Sequence, residues 1–234
     1  MSINIYADGA ILEDMLELYN NYPFIKGFTT NPSLMKKAGI KNYEEFARKV
    51  LENIKDVPIS FEVFSDDFET MKKEAEIISS WGDNVYVKIP IMDSRGVYSN
   101  DVITYLSNKG IKLNITAILT LEQVKLAVNC FKDGTKNIVS VFAGRISDSG
   151  RDATIYMKQA KEICNRKNGV ELLWASPREA YNIVQADELG VDIITVTKDL
   201  ILKYSKFGKD LEQISKETVQ MFVDDAKRLG YTII

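Results

Sequence analysis

Val85-Tyr86-Val87-Lys88-Ile89-Pro90 places a lysine inside a run of β-branched and aromatic residues. A strand sends alternate side chains to opposite faces, so Val85, Val87 and Ile89 share one face and Tyr86 and Lys88 the other. The same parity recurs along the chain. Ile3, Ile5 and Ala7 oppose Asn4, Tyr6 and Asp8, and Phe61 and Val63 oppose Ser60, Glu62 and Phe64. Runs of this kind occupy residues 3–7, 24–29, 59–64, 85–89, 111–116, 138–142, 170–175 and 192–196. Segments of helical period lie between them, at 11–20, 43–53, 66–80, 100–108, 121–131, 152–165, 178–189 and 198–204.

Eight alternating pairs imply an α/β fold, a (β/α)8 TIM barrel rather than a doubly wound sheet with fewer strands. The apolar strand face meets the helices. The other face looks into the barrel and carries a polar residue near the carboxyl end of strand after strand: Asp8, Thr29 and Asn31, Glu62, Lys88, Asn114 and Thr116, Ser140, and Ser176. Barrel active sites are built at that end. No stretch has the composition of a linker, so residues 1–234 read as one barrel domain. Residues 206–230 form an additional amphipathic helix with Leu211, Ile214, Thr218, Met221 and Phe222 on one face, which must pack on the barrel or on a neighbouring subunit.

Composition narrows the chemistry. Of 234 residues, 45% are hydrophobic and 27% charged, and a net charge of -3 offers no attraction to nucleic acid or an anionic membrane. No apolar run approaches the roughly 18 residues of a membrane helix, and the first residues lack a basic leader, so the expected location is cytoplasmic. Histidine is absent, which excludes Ser-His-Asp and Cys-His catalysis and the HExxH zinc site. Cys130 and Cys164 read as reduced structural thiols. The phosphate-cradling glycine motifs are missing, so any phosphate must be held by side chains or helix ends. Ser65-Asp66-Asp67-Phe68-Glu69 reads as an acidic helix start rather than a metal cluster.

A lysine on the inner face of a strand is costly to bury charged; desolvation would lower its pKa and leave the nucleophilic amine that Schiff-base chemistry needs. The alternative is a lysine that snorkels out or pairs with a carboxylate. Without histidine, a carboxylate with a bound water is the natural proton shuttle, and Glu62 and Asp8 are the inward carboxylates, with Thr116 to orient the water. They could instead only neutralise Lys88. Asn31 and Asn114 could bind substrate hydroxyls or cap strand ends. Arg145 and Arg178 follow the sixth and seventh strands and suggest a sugar-phosphate site, with surface salt bridges as the alternative. Ser176-Pro177-Arg178-Glu179 reads as an N-cap serine with proline at N1, which would set Arg178 beside helix amides that favour an anion.

Five segments in order, Gly27-Phe28-Thr29-Thr30-Asn31-Pro32-Ser33, Val87-Lys88-Ile89-Pro90, Leu113-Asn114-Ile115-Thr116, Phe142-Ala143-Gly144-Arg145 and Ala175-Ser176-Pro177-Arg178, make the chain resemble the transaldolases along essentially its whole length. The resemblance is to their short single-domain subgroup, together with the related fructose-6-phosphate aldolases. It implies Lys88 as the Schiff-base residue, with Asp8, Glu62 and Thr116 handling water and protons. Thr29, Asn31, Asn114, Ser140, Phe142 and Ser176 would line the substrate site, and Arg145 and Arg178 would bind phosphate. It further implies transfer of a dihydroxyacetone unit between sugar phosphates, with no cofactor, in a homo-oligomer, often a pentamer or decamer. Glu62 and Phe142 stand where the aldolases typically have Gln and Tyr, which resembles a true transaldolase. The chain departs from the family's usual pattern at Tyr6-Ala7-Asp8-Gly9, at Val141 and at Thr197. An aldolase releasing free dihydroxyacetone and a non-catalytic sugar-phosphate-binding barrel are the other readings.

Overall fold

Parallel strands buried on both faces need apolar residues outward and a close-packed interior, and the eight runs supply both. In the computed structural model, which describes residues 1–230 and 233, the chain forms two units, Met1–Ile201 and Leu202–Ile234. The first contains β1 (Asn4–Asp8), α1 (Leu12–Asn21), β2 (Ile25–Thr29), α2 (Pro32–Lys37), α3 (Tyr43–Asn53), β3 (Ile59–Glu62), α4 (Phe68–Ser79) and β4 (Val85–Pro90). It continues through α5 (Asn100–Asn108), β5 (Leu113–Ile118), α6 (Leu121–Cys130), β6 (Asn137–Val141), α7 (Ala143–Asp148), α8 (Ala153–Cys164), β7 (Val170–Trp174), α9 (Asn182–Glu188) and β8 (Ile193–Thr197). Helix α10 (Lys198–Lys203) begins directly after β8.

Each strand pairs in parallel with the next, and β8 pairs back onto β1 from Asn4↔Ile193 to Asp8↔Thr197, closing a TIM barrel. All eight strands and the eight helices expected between them form; α2 and α7, of six residues each, are additional. Both are too short for periodicity to announce them. At the start of α4, Asp67 is the N-cap, accepting from Thr70 N at 2.8 Å, which accounts for that acidic cluster as a helix start. Cys130 and Cys164 are free thiols.

Strand parity sorts the residues as expected. Phe28, Phe61, Val87, Ile89, Ile115 and Leu172 are completely buried on the outward face, and so are the helix residues Val50, Met71, Ile103, Leu106 and Met157. Inside the barrel, Tyr6, Tyr86, Ile138, Leu173, Ala175 and Ile193 form a cluster, with Phe142 against it. This plug floors the polar carboxyl end. Gly27 makes room for it, because a Cβ there would lie 2.6 Å from Tyr6 Cζ.

The second unit holds α11 (Leu211–Leu229), with Asp210 as N-cap and Gly230 closing the helix in the left-handed region at φ 67°. Its apolar residues Leu211, Val219, Met221, Phe222 and Val223 are exposed. Among the described residues no helix is long and apolar enough to cross a membrane.

Gly27→Ala should destabilise the barrel by about 1–3 kcal/mol through overpacking against the Tyr6 ring. Urea unfolding measures this, and a midpoint equal to that of the parent chain would contradict the tight contact.

Candidate active site

Strand β4 carries Lys88 into the polar mouth of the barrel, where it is only 6% exposed. Its Nζ donates to the Thr30 carbonyl oxygen at 2.8 Å and stands 3.0 Å from Glu62 Oε2. Register decides this pairing: Glu62 on β3 lies opposite Lys88, and Lys88 lies opposite Asn114 on β5. The carboxylate partner anticipated as one alternative is therefore present. Tyr43 holds the Glu62 backbone from behind, donating its hydroxyl to the Glu62 carbonyl oxygen at 2.9 Å.

Asp8, at the end of β1, faces the same amine. Burial pushes its carboxyl above the usual carboxylate range, and neighbouring Glu62 pushes the same way, while Lys88 and the hydrogen bond from Thr29 oppose the rise. Thr29 Oγ1 donates to Asp8 Oδ1 at 2.7 Å and lies 2.5 Å from Thr195 Oγ1 of β8.

Asn114 is held from both sides. Its amide donates to Ser60 Oγ at 3.0 Å, and its carbonyl accepts from Ser140 Oγ at 2.6 Å. Asn31 caps the start of α2 rather than a strand end, accepting from Leu34 N at 3.0 Å, and it also lines the cavity. The Thr116 hydroxyl is buried without a hydrogen-bond partner among the described residues, a state that buried polar groups rarely keep.

These groups enclose a cavity of about 510 Å³. Asp8, Thr29, Asn31, Glu62, Lys88, Asn114, Thr116, Ser140, Phe142, Arg145 and Ser176 all line it. Arg178 does not. Its guanidinium is bound to Asp148 of α7 through Nε and Nη2, and its Nη1 donates to Ser176 Oγ at 3.1 Å. Arg145 rests over the Phe142 ring, 5.1 Å from its centroid.

The N-cap expected at Ser176 is corrected by the backbone. Ser176 has φ 60°, in the left-handed region, and α9 begins at Asn182 instead. The amides of Arg178 and Glu179 donate to Asn182 Oδ1, at 2.8 and 3.1 Å, so they are committed within the turn. Ala117, at φ 61°, is the second strained residue, and both line the cavity. Gly144 permits the Ser176 conformation, because a Cβ there would fall 1.6 Å from the Ser176 carbonyl oxygen.

Parity would have revealed Thr195, which shares the inward face of β8 with Ile193, but its hydroxyl contact with Thr29 arises only on closure. Ser60 is likewise an inward residue whose use depends on Asn114. Asp148 carries no local signal that it meets Arg178 30 residues later.

A buried lysine paired with a carboxylate at the carboxyl ends of a parallel barrel is an arrangement suited to enzyme chemistry that uses a nucleophilic amine. The family model described as Transaldolase/Fructose-6-phosphate aldolase matches residues 5–233. The chain is 32% identical over 232 residues to "Probable transaldolase" of Thermoanaerobacter sp. (strain X514), covering 99% of this chain and all of that protein. It is 33% identical over 207 residues to "Probable transaldolase" of Sulfurihydrogenibium sp. (strain YO3AOP1), covering 87% and 89% of the two chains. With "Probable transaldolase" of Methanococcus maripaludis (strain C5 / ATCC BAA-1333) the identity is 35% over 202 residues, 86% and 89% of the chains. The protein is thus an enzyme of the class I aldolase type. It belongs to the transaldolase/fructose-6-phosphate aldolase family.

Asp8→Asn should leave the fold at least as thermostable as the parent at pH 8. A carboxyl raised by burial favours the native state only while protonated, and that contribution is lost as pH rises through its folded value. The difference between the two melting temperatures should shrink as the pH falls below that folded value, where the parent carboxyl is neutral like the amide. A parent chain more stable than Asp8→Asn at pH 8 would reverse the sign.

Proposed function

We propose that the enzyme transfers a dihydroxyacetone unit from a ketose phosphate to an aldose phosphate through a Schiff base on Lys88. The observation that carries this reading is the buried Lys88 amine held 3.0 Å from Glu62 Oε2 at the mouth of the barrel. Attack of the amine on the ketose carbonyl forms the C–N bond, and the ammonium proton goes to Glu62. A second nitrogen proton passes through a water oriented by Thr116 to the former carbonyl oxygen, giving the carbinolamine hydroxyl, and Glu62 then returns the first proton to that hydroxyl, which leaves as water while the nitrogen lone pair forms the C=N bond. Asp8 then takes the proton of the adjacent substrate hydroxyl as the C–C bond breaks, and the aldose phosphate departs. The three-carbon unit remains on Lys88 until an acceptor aldehyde reverses the sequence.

Thr29, Asn31, Asn114, Ser140 and Ser176 serve the substrate's hydroxyls, and Phe142 packs against its carbon face. Arg145 binds the phosphate, joined by Arg178 once phosphate competes with Asp148 for its guanidinium. The sugar phosphates are then the only partners the site needs, with no organic cofactor. Glu62 and Phe142 favour transfer over release of free dihydroxyacetone, and the pentose phosphate route in the cytoplasm is the natural setting. Residues 1–234 act as one catalytic barrel domain whose α11 serves assembly into a pentamer or decamer. The exposed Val219, Phe222 and Val223 on that helix support this.

Borohydride reduction with fructose 6-phosphate should trap a three-carbon adduct on Lys88, located by peptide mass mapping, and Lys88→Met should give neither adduct nor turnover. Turnover by a folded Lys88→Met chain would end the Schiff-base reading. Steady release of dihydroxyacetone without an acceptor would replace the transferase with the aldolase.

Sedimentation should show an assembly of five or ten chains, shifted toward monomer by Phe222→Glu. A parent chain that sediments as a monomer at working concentration would refute the assembly role of α11.

A further inference from the structure

Thr195 enters the active-site cavity from β8 and lies outside every role considered so far. It is 6% exposed, and its Oγ1 stands 2.5 Å from Thr29 Oγ1, which in turn donates to Asp8 Oδ1 at 2.7 Å. A hydroxyl has one proton. While Asp8 is ionised it can only accept, so the Thr29 proton is spent on Asp8 and the short Thr195 contact must be donation toward Thr29. The direction of the whole chain follows from the charge at its end.

We propose that Thr195 is a positioning residue for Asp8, donating to Thr29 and so directing the single Thr29 hydroxyl proton onto the Asp8 carboxylate. Three strands are tied by this chain at the point where the barrel closes, since β1 pairs with both β2 and β8. Aligned hydroxyls polarise one another, so the terminal bond to the carboxylate is stronger than a lone Thr29 would make it. Neutral Asp8 gains less, because its carbonyl oxygen is a weaker acceptor. Thr195 therefore holds down a carboxyl that burial and Glu62 push upward. The charged groups facing Asp8 are Glu62 from β3 and Lys88 from β4. Asp14 of α1, Lys37 of α2, and Lys198 and Asp199 of α10 line an adjoining cavity that Asp8 also borders. None of these is altered by changing Thr195.

The proposal rests on Asp8 as the proton-handling group, and the test separates the two ideas. The Asp8 carboxyl is titrated by carbon NMR in the full-length protein, its signal assigned by loss in Asp8→Asn. In parallel, the pH dependence of fructose 6-phosphate turnover is recorded with an acceptor aldose phosphate. Thr195→Val should raise the Asp8 titration midpoint by about half a unit to one unit, and turnover on the acid side should fall about 3- to 10-fold. Thr195→Ser should titrate like the parent. Thr29→Val should shift the midpoint further, and the Thr29→Val/Thr195→Val pair no further than Thr29→Val alone, because Thr195 acts through Thr29. Thr195→Ala removes the same hydroxyl and carries the test if Thr195→Val folds poorly. A parent-like midpoint in both hydroxyl-free variants, or shifts that add in the double variant, would overturn the proposal. Absence of turnover and of a trapped adduct in the parent would defeat the functional reading, while the NMR titration would still decide the hydrogen-bond chain.

Discussion

The pair between Lys88 and Glu62 sets the terms for everything around it. A charged amine on the inside of a barrel must recover the hydration it gives up, and two acceptors, the Glu62 carboxylate and the Thr30 carbonyl, do this. One comes from the adjacent strand β3 and the other from the residue that follows β2, so they arrive only when β3 is in register with β4 and the chain leaving β2 turns the Thr30 carbonyl inward. Tyr43 tethers Glu62 by its backbone, and Asn114 lies beside Lys88 through register with β5. The interaction that makes burial of the lysine tolerable also puts a carboxylate next to it, where the proposed reaction needs a proton acceptor. Stability and reactivity are here aspects of one contact.

Below that pair the barrel is filled by Tyr6, Tyr86, Leu173 and Ile193, which keeps the polar groups at the mouth. Above it the backbone is forced. Ala117 and Ser176 both adopt left-handed conformations without being glycine, and both face the cavity. Such positions persist only where the surrounding structure holds them. Gly144 provides that support for Ser176 by leaving space for its carbonyl. The cost of these two residues falls where the substrate is proposed to bind, as expected for a site shaped for chemistry rather than for stability.

Asp148 gives the arginine end of the site a different character. It saturates much of the Arg178 guanidinium, while Arg145 rests over Phe142 and lines the cavity. The two arginines, alike in sequence as residues following adjacent strands, are therefore not equivalent in space. Arg145 faces the cavity directly, and Arg178 is held one residue away through Ser176.

The alternation in Val85-Tyr86-Val87-Lys88-Ile89 and its counterparts already specified eight strands, their inward faces and nine polar residues, from Asp8 to Ser176, that line the cavity. Period two is a local property, and a closed parallel barrel converts it directly into inside and outside. What sequence parity does not carry is anything requiring two strands to be brought together. The Thr195 contact with Thr29, the use of Ser60 by Asn114 and the capture of Arg178 by Asp148 join residues 30 to 166 positions apart. The helix start expected at Ser176 failed for the same reason: local residue preference favoured an N-cap, but packing against Gly144 accompanies a backbone turn that no N-cap adopts. Local chemistry chose the elements and their faces, while closure of the barrel chose which polar groups touch, because hydrogen bonds across strands depend on register and not on neighbours in the chain.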